Sequence, residues 1–138
     1  MAQSSGVSTR PRLRGLTFVL LVLTIAAGIA SRIYSAHLPP ILHKNAGDIL
    51  WATALYYLLV TLSPKAFPGR AFLLTFILGA GVEALKLVHN PTLATFRTTT
   101  IGGLLLGHAF SWSNIACYAA GALLAVIIDA IIAWRPGK

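Results

Sequence analysis

Acid is what this sequence has least of. Among its 138 residues only Asp48, Glu83 and Asp129 are acidic, against eleven Lys and Arg. Charged residues total 10%, where a soluble domain carries about 25%, so there is too little charge to solvate a globule. With 57% hydrophobic residues, disorder is excluded too, since it needs low hydrophobicity and many charges. Cysteine is limited to Cys117. An intrachain disulfide and a cysteine-based metal motif are thereby ruled out, and Cys117, lying in an apolar run, reads as a small packing residue. His37, His43, His89 and His108 lack metal-ligand spacing, and no phosphate loop, zinc signature or nucleophile–base pair is present. Ser111 and Ser113 near His108 read as a polar turn, not a hydrolytic set. Neither a cofactor nor a metal is expected, and no reaction is assigned.

What the chain has in abundance is long apolar runs bounded by basic residues, and this reads as an integral membrane protein. The +8 net charge does not form a stripe interleaved with aromatics, so nucleic acid is not an expected partner. Bases flanking apolar runs set orientation and meet anionic lipid. Residues 1–14, with Arg10, Arg12 and Arg14, read as a disordered cytoplasmic tail. Gly15 to Ser31 is 17 residues without a charge, near the lower limit of about 17 for a span. A cleaved signal peptide is the competing reading, but the chain continues into further apolar runs.

The remaining elements follow from the breakers. Pro39 and Pro40 end the first helix, and Asp48, at or beside an N-cap, opens the second. Asn90-Pro91 stops the third. Thr98 to Phe110 has 13 residues, or ~20 Å of helix, too short for a ~30 Å hydrocarbon core. The expected fold is therefore an all-α polytopic bundle forming one transmembrane domain over residues 15–135. Its four spans are expected at about 15–35, 48–63, 71–88 and 114–134, with one short re-entrant or interfacial helix at about 98–110. With both termini cytoplasmic, seven bases lie inside and four outside, as the positive-inside rule prefers. Gly103 and Gly107 match a GxxxG motif and are expected to pack on another helix; Gly79, Gly81, Ala119, Ala120 and Gly121 read as further small contact residues.

This topology gathers polar residues at the outer face. Arg32 ends the first helix there, Asp48 begins the second, Glu83 and Lys86 lie near the end of the third, Arg97 follows, and Asn114 caps the last. Glu83 and Lys86 share a helix face at i, i+3. A charge at membrane depth costs about 2.5–3.5 kcal/mol on insertion scales, so Glu83 is expected to pair with Lys86 or Arg97. One reading of the group is a structural staple. The other is a polar pocket in which Asp48, Glu83, Lys86, Arg97 and Asn114 meet a ligand. Asp129 reads as an interfacial anchor near Trp134 and Arg135.

Several short motifs carry a resemblance. They are Ser31-Arg32, Gly47-Asp48-x-Leu50-Trp51-Ala52, Glu83-x-x-Lys86, Arg97-x-Thr99, and Leu106-Gly107-x-x-Phe110-x-Trp112-x-Asn114-x-x-x-Tyr118-x-x-Gly121. In order and spacing this set resembles the bacterial "domain of unknown function 2809" family, over roughly Gly28 to Leu124. That family is similar, more distantly, to VanZ-like membrane proteins, which are associated with glycopeptide-antibiotic tolerance without an agreed mechanism. The resemblance implies a fold and a site, not a reaction. Lys86 stands where the family usually has Gln, and Asn114 where it usually has Asp. Both differences make the cluster more positive, which favours an anion-facing pocket over a metal.

The expectation is a multi-pass protein of the inner (plasma) membrane, whose outer-leaflet pocket receives a membrane lipid headgroup or a lipid-linked envelope precursor. Two alternatives stay open: a small membrane enzyme or transporter acting on such a molecule, and a structural subunit assembling through its small-residue faces.

Overall fold

Apolar side chains cover much of the outside of this protein. Phe18, Val22, Leu73, Ile77, Leu123 and Ile131 are all exposed, an arrangement suited to a surrounding that is itself apolar. The structure, a computed structural model, describes residues 11–133. These described residues form six α-helices: α1 (Arg14–Ile33), α2 (Pro40–Leu62), α3 (Pro68–Leu85), α4 (Pro91–Thr98), α5 (Thr100–Leu106) and α6 (Trp112–Ala133), with a 3-10 turn at Ser35–His37. No strand occurs among the described residues. Three helices, α1, α3 and α6, are long and apolar enough to cross a membrane. The described residues are thus all-helical, with apolar helices compatible with a membrane protein.

Proline starts α2, α3 and α4. At the first helical position its missing N–H is no loss and its fixed φ suits the helix. This corrects the expected start of the second helix. α2 begins at Pro40, and Asp48 lies two turns inside it, not at an N-cap. The run expected as a span at 48–63 is therefore part of a 23-residue helix whose first turns carry His43, Lys44, Asn45 and Asp48. The expected single helix at 98–110 is corrected as well. Within that run only Thr100–Leu106 is a helix, α5; Thr98 is the last residue of α4, Thr99 stands between the two, and 107–111 is irregular. Asn90 accepts from the Thr92 N–H at 2.8 Å and caps α4; Thr99 accepts from the Gly102 N–H at 3.0 Å and caps α5. A hydroxyl that can cap the next helix ends the previous one.

The long helices form an alternating bundle. α1 runs antiparallel to α2, with Gly28 against Leu50 and Arg32 near Asp48. α2 and α6 run parallel, from Ile49 beside Gly121 to Tyr56 beside Asp129. α3 runs antiparallel to α6, with Glu83 bonded to Asn114 and Tyr118. α2 is the centre: α1, α3 and α6 all pack on it, while α1 has no other long neighbour. Tyr56, Tyr57, Val60, Ala71, Ala125 and Leu21 form the buried core. A Cβ at Gly121 would collide with the Ile49 carbonyl, so this glycine sets how closely α2 and α6 approach. Thr53 supports the same crossing by donating to the carbonyls of Ile49 at 2.9 Å and Gly121 at 3.0 Å.

Gly103 and Gly107 do meet other helices, α4 and the end of α3, but not as a GxxxG seam between long helices. Gly107 is the C-cap of α5, with φ at +66°, a conformation that favours glycine. Gly103 lies against the Arg97 carbonyl and His108 within its own segment. Neither packs two long helices together. Of the other small residues, Gly79 and Gly121 make close helix contacts, whereas Gly81 has nothing near it.

α4 and α5 pack on one another, and α5 touches α3, but neither approaches the backbone of α1 or α2. The space left between these groups holds the candidate site.

Candidate functional site

Glu83 is fully buried near the end of α3. A carboxylate out of water is tolerated only when its lone pairs are met. Here they are. Oε2 accepts from Lys86 Nζ at 2.7 Å and the Tyr118 hydroxyl at 3.0 Å. Oε1 accepts from the Ser111 N–H at 2.6 Å and Asn114 Nδ2 at 3.2 Å. Four donors fill the accepting capacity of a carboxylate, so Glu83 has none left for a ligand or a metal. Its effect is to fix Lys86 and Asn114. No group of three or more metal-ligating side chains occurs among the described residues.

Lys86 runs close against Gly107. Its Cε lies 2.9 Å from where a Cβ would stand on that glycine, so a side chain there would press on the lysine that bonds Glu83 beneath the α5 terminus. Asn114 is the third residue of α6 and does not cap it, contrary to expectation. Its amide nitrogen is committed to Glu83, while its Oδ1 is buried without a partner.

Arg97 is not an ion-pair partner of Glu83. Its Nη2 donates to the Leu85 carbonyl at 2.8 Å, which ties α4 to the end of α3, and its Nε is buried without a partner. Arg32 reaches Asp48 at 3.8 Å, a loose pair in which Arg32 is partly exposed. Gly47 makes room for it, since a Cβ there would lie 3.2 Å from Arg32 Nε.

These residues border one cleft of about 660 Å³ between α1, α2 and the α4–α5 pair. Asp48, Lys86, Arg97 and Asn114 line it together with Arg32, Lys44 and a row of hydroxyls from Thr98 to Thr100. Glu83 lies behind this lining and holds two of its members. The five residues picked out from sequence thus come together, four on the wall and one behind it. An apolar groove of about 310 Å³ adjoins the cleft between α1, α2 and α5, lined by Leu21, Ile25, Leu50, Leu55, Leu58 and Leu105 among others. Arg32, Gly47 and Leu104 belong to both spaces and form their junction.

A second polar cluster occupies the opposite end of the bundle. Arg12 Nε donates to both Asp129 oxygens at 2.9 and 2.8 Å, and Nη2 lies 2.7 Å from Oδ2. Its Nη1 donates to the carbonyls of Pro64 and Ala66, and Tyr56 donates to Asp129 at 2.6 Å. Burial opposes the Arg12 charge, but Asp129 outweighs it and holds the guanidinium above its ordinary range. Arg12 had been expected in a disordered tail over residues 1–14; positions 1–10 of that tail lie outside the described residues. Asp129 is anchored by Arg12, while Trp134 and Arg135, its expected neighbours, also lie outside them. The readable signal was Asp129 itself, a charge in an apolar run that must have a partner. Proximity in sequence pointed to Arg135, whereas the partner lies 117 positions away.

The family model described as "Protein of unknown function (DUF2809)" matches residues 37–122. That stretch contains α2 through the first half of α6, and with them nearly the whole cleft. No solved structure matches the chain.

Proposed function

The chain belongs to the DUF2809 family of proteins of unknown function, and we propose that it holds a membrane amphiphile, with the polar headgroup in the cleft and the apolar tail in the groove. The observation that carries this reading is the junction. Arg32, Gly47 and Leu104 line both spaces, so a charged chamber and an apolar channel lie side by side across three shared residues. Water-soluble ligands have no use for the channel, and a lipid tail alone has none for the chamber.

In this reading α2 is a fourth span, since 23 residues reach ~34 Å. α4 and α5 are the short re-entrant or interfacial element that roofs the cleft. The base count puts the cleft at the outer leaflet of the plasma membrane and both chain ends in the cytoplasm. Ala52, Ala122 and Ala125 are fully buried between the cleft and the Arg12–Asp129 cluster, and no polar chain joins the two among the described residues. This favours holding a ligand over relaying protons or ions.

The test is native mass spectrometry of the protein purified in mild detergent. The wild type is expected to carry a lipid. Gly28→Phe places a ring in the groove, which Gly28 lines, and is expected to remove it. A lipid-free wild type, or a variant that retains the lipid equally, overturns the reading.

A further inference from the structure

Resting on that reading, we propose that the occupant is an anionic phospholipid whose phosphodiester headgroup also carries a hydroxyl, as a phosphatidylglycerol does. The charges in the cleft argue for the anion. Lys86 is neutralised by Glu83, and Arg32 has Asp48 at 3.8 Å. Lys44 and Arg97 also line the cleft, and neither has a carboxylate partner among the described residues. Arg97 in addition has a buried Nε with nothing to donate to. Lys44 feels the field of Asp48, which Arg32 shares, so four cations meet only Asp48 and Glu83, and the excess of positive charge suits a phosphate diester, whose oxygens accept from Lys44 and Arg97.

The hydroxyl is argued from the opposite deficit. Asn114 is 4% exposed and lines the cleft, and its Oδ1 is a buried acceptor without a donor. A bare phosphate or carboxylate presents only acceptors to it and leaves it unmet. A choline headgroup offers no N–H or O–H and sets a cation against Lys44 and Arg97. An ethanolamine headgroup offers a donor but brings a positive charge into a cleft already in excess of it. A neutral hydroxyl on an anionic diester satisfies Asn114 Oδ1 and the two cations together. Because Glu83 fixes Asn114 through Nδ2 at 3.2 Å, the amide cannot turn to present its own N–H instead.

Trp51 provides the readout, because it lines the groove. The full chain carrying Trp112→Phe and Trp134→Phe keeps Trp51 as its sole tryptophan. It is reconstituted in phosphatidylcholine vesicles, and a fraction of the lipid is replaced by a lipid with brominated acyl chains, which quench on contact. Brominated phosphatidylglycerol, phosphatidylmethanol and phosphatidylcholine are compared; the first two share charge and linkage and differ in the hydroxyls. The expected order of quenching is glycerol over methanol over choline. The anionic preference is about five-fold for each matched cation, and Arg97→Gln or the exposed Lys44→Gln each reduces it by that factor. Equal quenching by the glycerol and methanol lipids overturns the proposal, as does equal quenching by the glycerol and choline lipids. A variant keeping Trp112 alone, which is 77% exposed, reports general contact with the bilayer. If no lipid quenches Trp51 beyond that level, the groove is empty and the broader reading fails with the narrower one.

Discussion

Glu83 and Asn114 divide their work between holding and presenting. The carboxylate meets four donors and so binds the end of α3 to the 107–111 segment and to the first turns of α6. Glu83→Gln keeps the shape but turns one acceptor into a donor that faces Lys86 or Asn114. Breaking a buried pair in this way costs about 3–5 kcal/mol, and the thermal melting of the purified protein is expected to fall accordingly; a change under ~1 kcal/mol is what an exposed pair would give. The i, i+3 pairing with Lys86 was legible in the sequence, because spacing alone puts both on one face. The other three donors were not, since Tyr118, Asn114 and Ser111 lie 28 to 35 positions away and only the packing of α6 on α3 brings them in. Arg97 was misread for a related reason. It sits near the carboxylate in sequence order, yet the start of α4 at Pro91 turns it toward the Leu85 carbonyl.

Helix contacts turn on individual glycines, and these differ in a way that pattern matching does not see. Gly121 faces the Ile49 carbonyl, so Gly121→Ala must push α2 and α6 apart, at a cost of about 1–3 kcal/mol. Gly81→Ala meets nothing within 4 Å and is expected to be tolerated or to gain from better helix propensity. Melting of the two variants side by side checks the assignment, and the reverse order would contradict it. The long helices were legible because uninterrupted apolar runs leave the backbone no other way to satisfy itself in lipid. Their boundaries were less so. Pro40 opens α2 although proline so often closes a helix, and the helix within the Thr98–Phe110 run is shortened to Thr100–Leu106 because Thr99 caps its start and Gly107 its end. Of the long helices α1 is the least buried: it buries only Thr17 and Leu21 and packs on α2 alone among them. Arg12 ties its beginning to the end of α6. Arg12→Gln is expected to speed amide hydrogen exchange in the first turn of α1 while leaving α3 and the middle of α6 unchanged. Uniform acceleration along the chain would mean that the Arg12 cluster supports the whole bundle.

Arg12 also brings the beginning and end of the described chain to one end of the bundle, since it bonds both the α2–α3 turn and Asp129 of α6. Reporter fusions before Met1 and after Lys138 are therefore expected to report the same side of the membrane, the cytoplasm by the base count; opposite sides would require the α4–α5 segment to cross. The Glu83 node has a consequence for the order in which this protein is made. α3 leaves the ribosome well before α6, so it meets the bilayer carrying a carboxylate whose only available donor is Lys86, three residues further on. A charge costs about 2.5–3.5 kcal/mol at the centre of a span and less toward its end, where Glu83 lies, and the donors that offset Glu83 from Ser111, Asn114 and Tyr118 have yet to be synthesised. The nascent third helix is consequently a reluctant guest of the translocon, waiting for the sixth to admit it. A chain stopped at Phe110 is expected to insert α3 poorly in a glycosylation-mapping assay, the full chain efficiently, and the stopped chain with Glu83→Leu efficiently again.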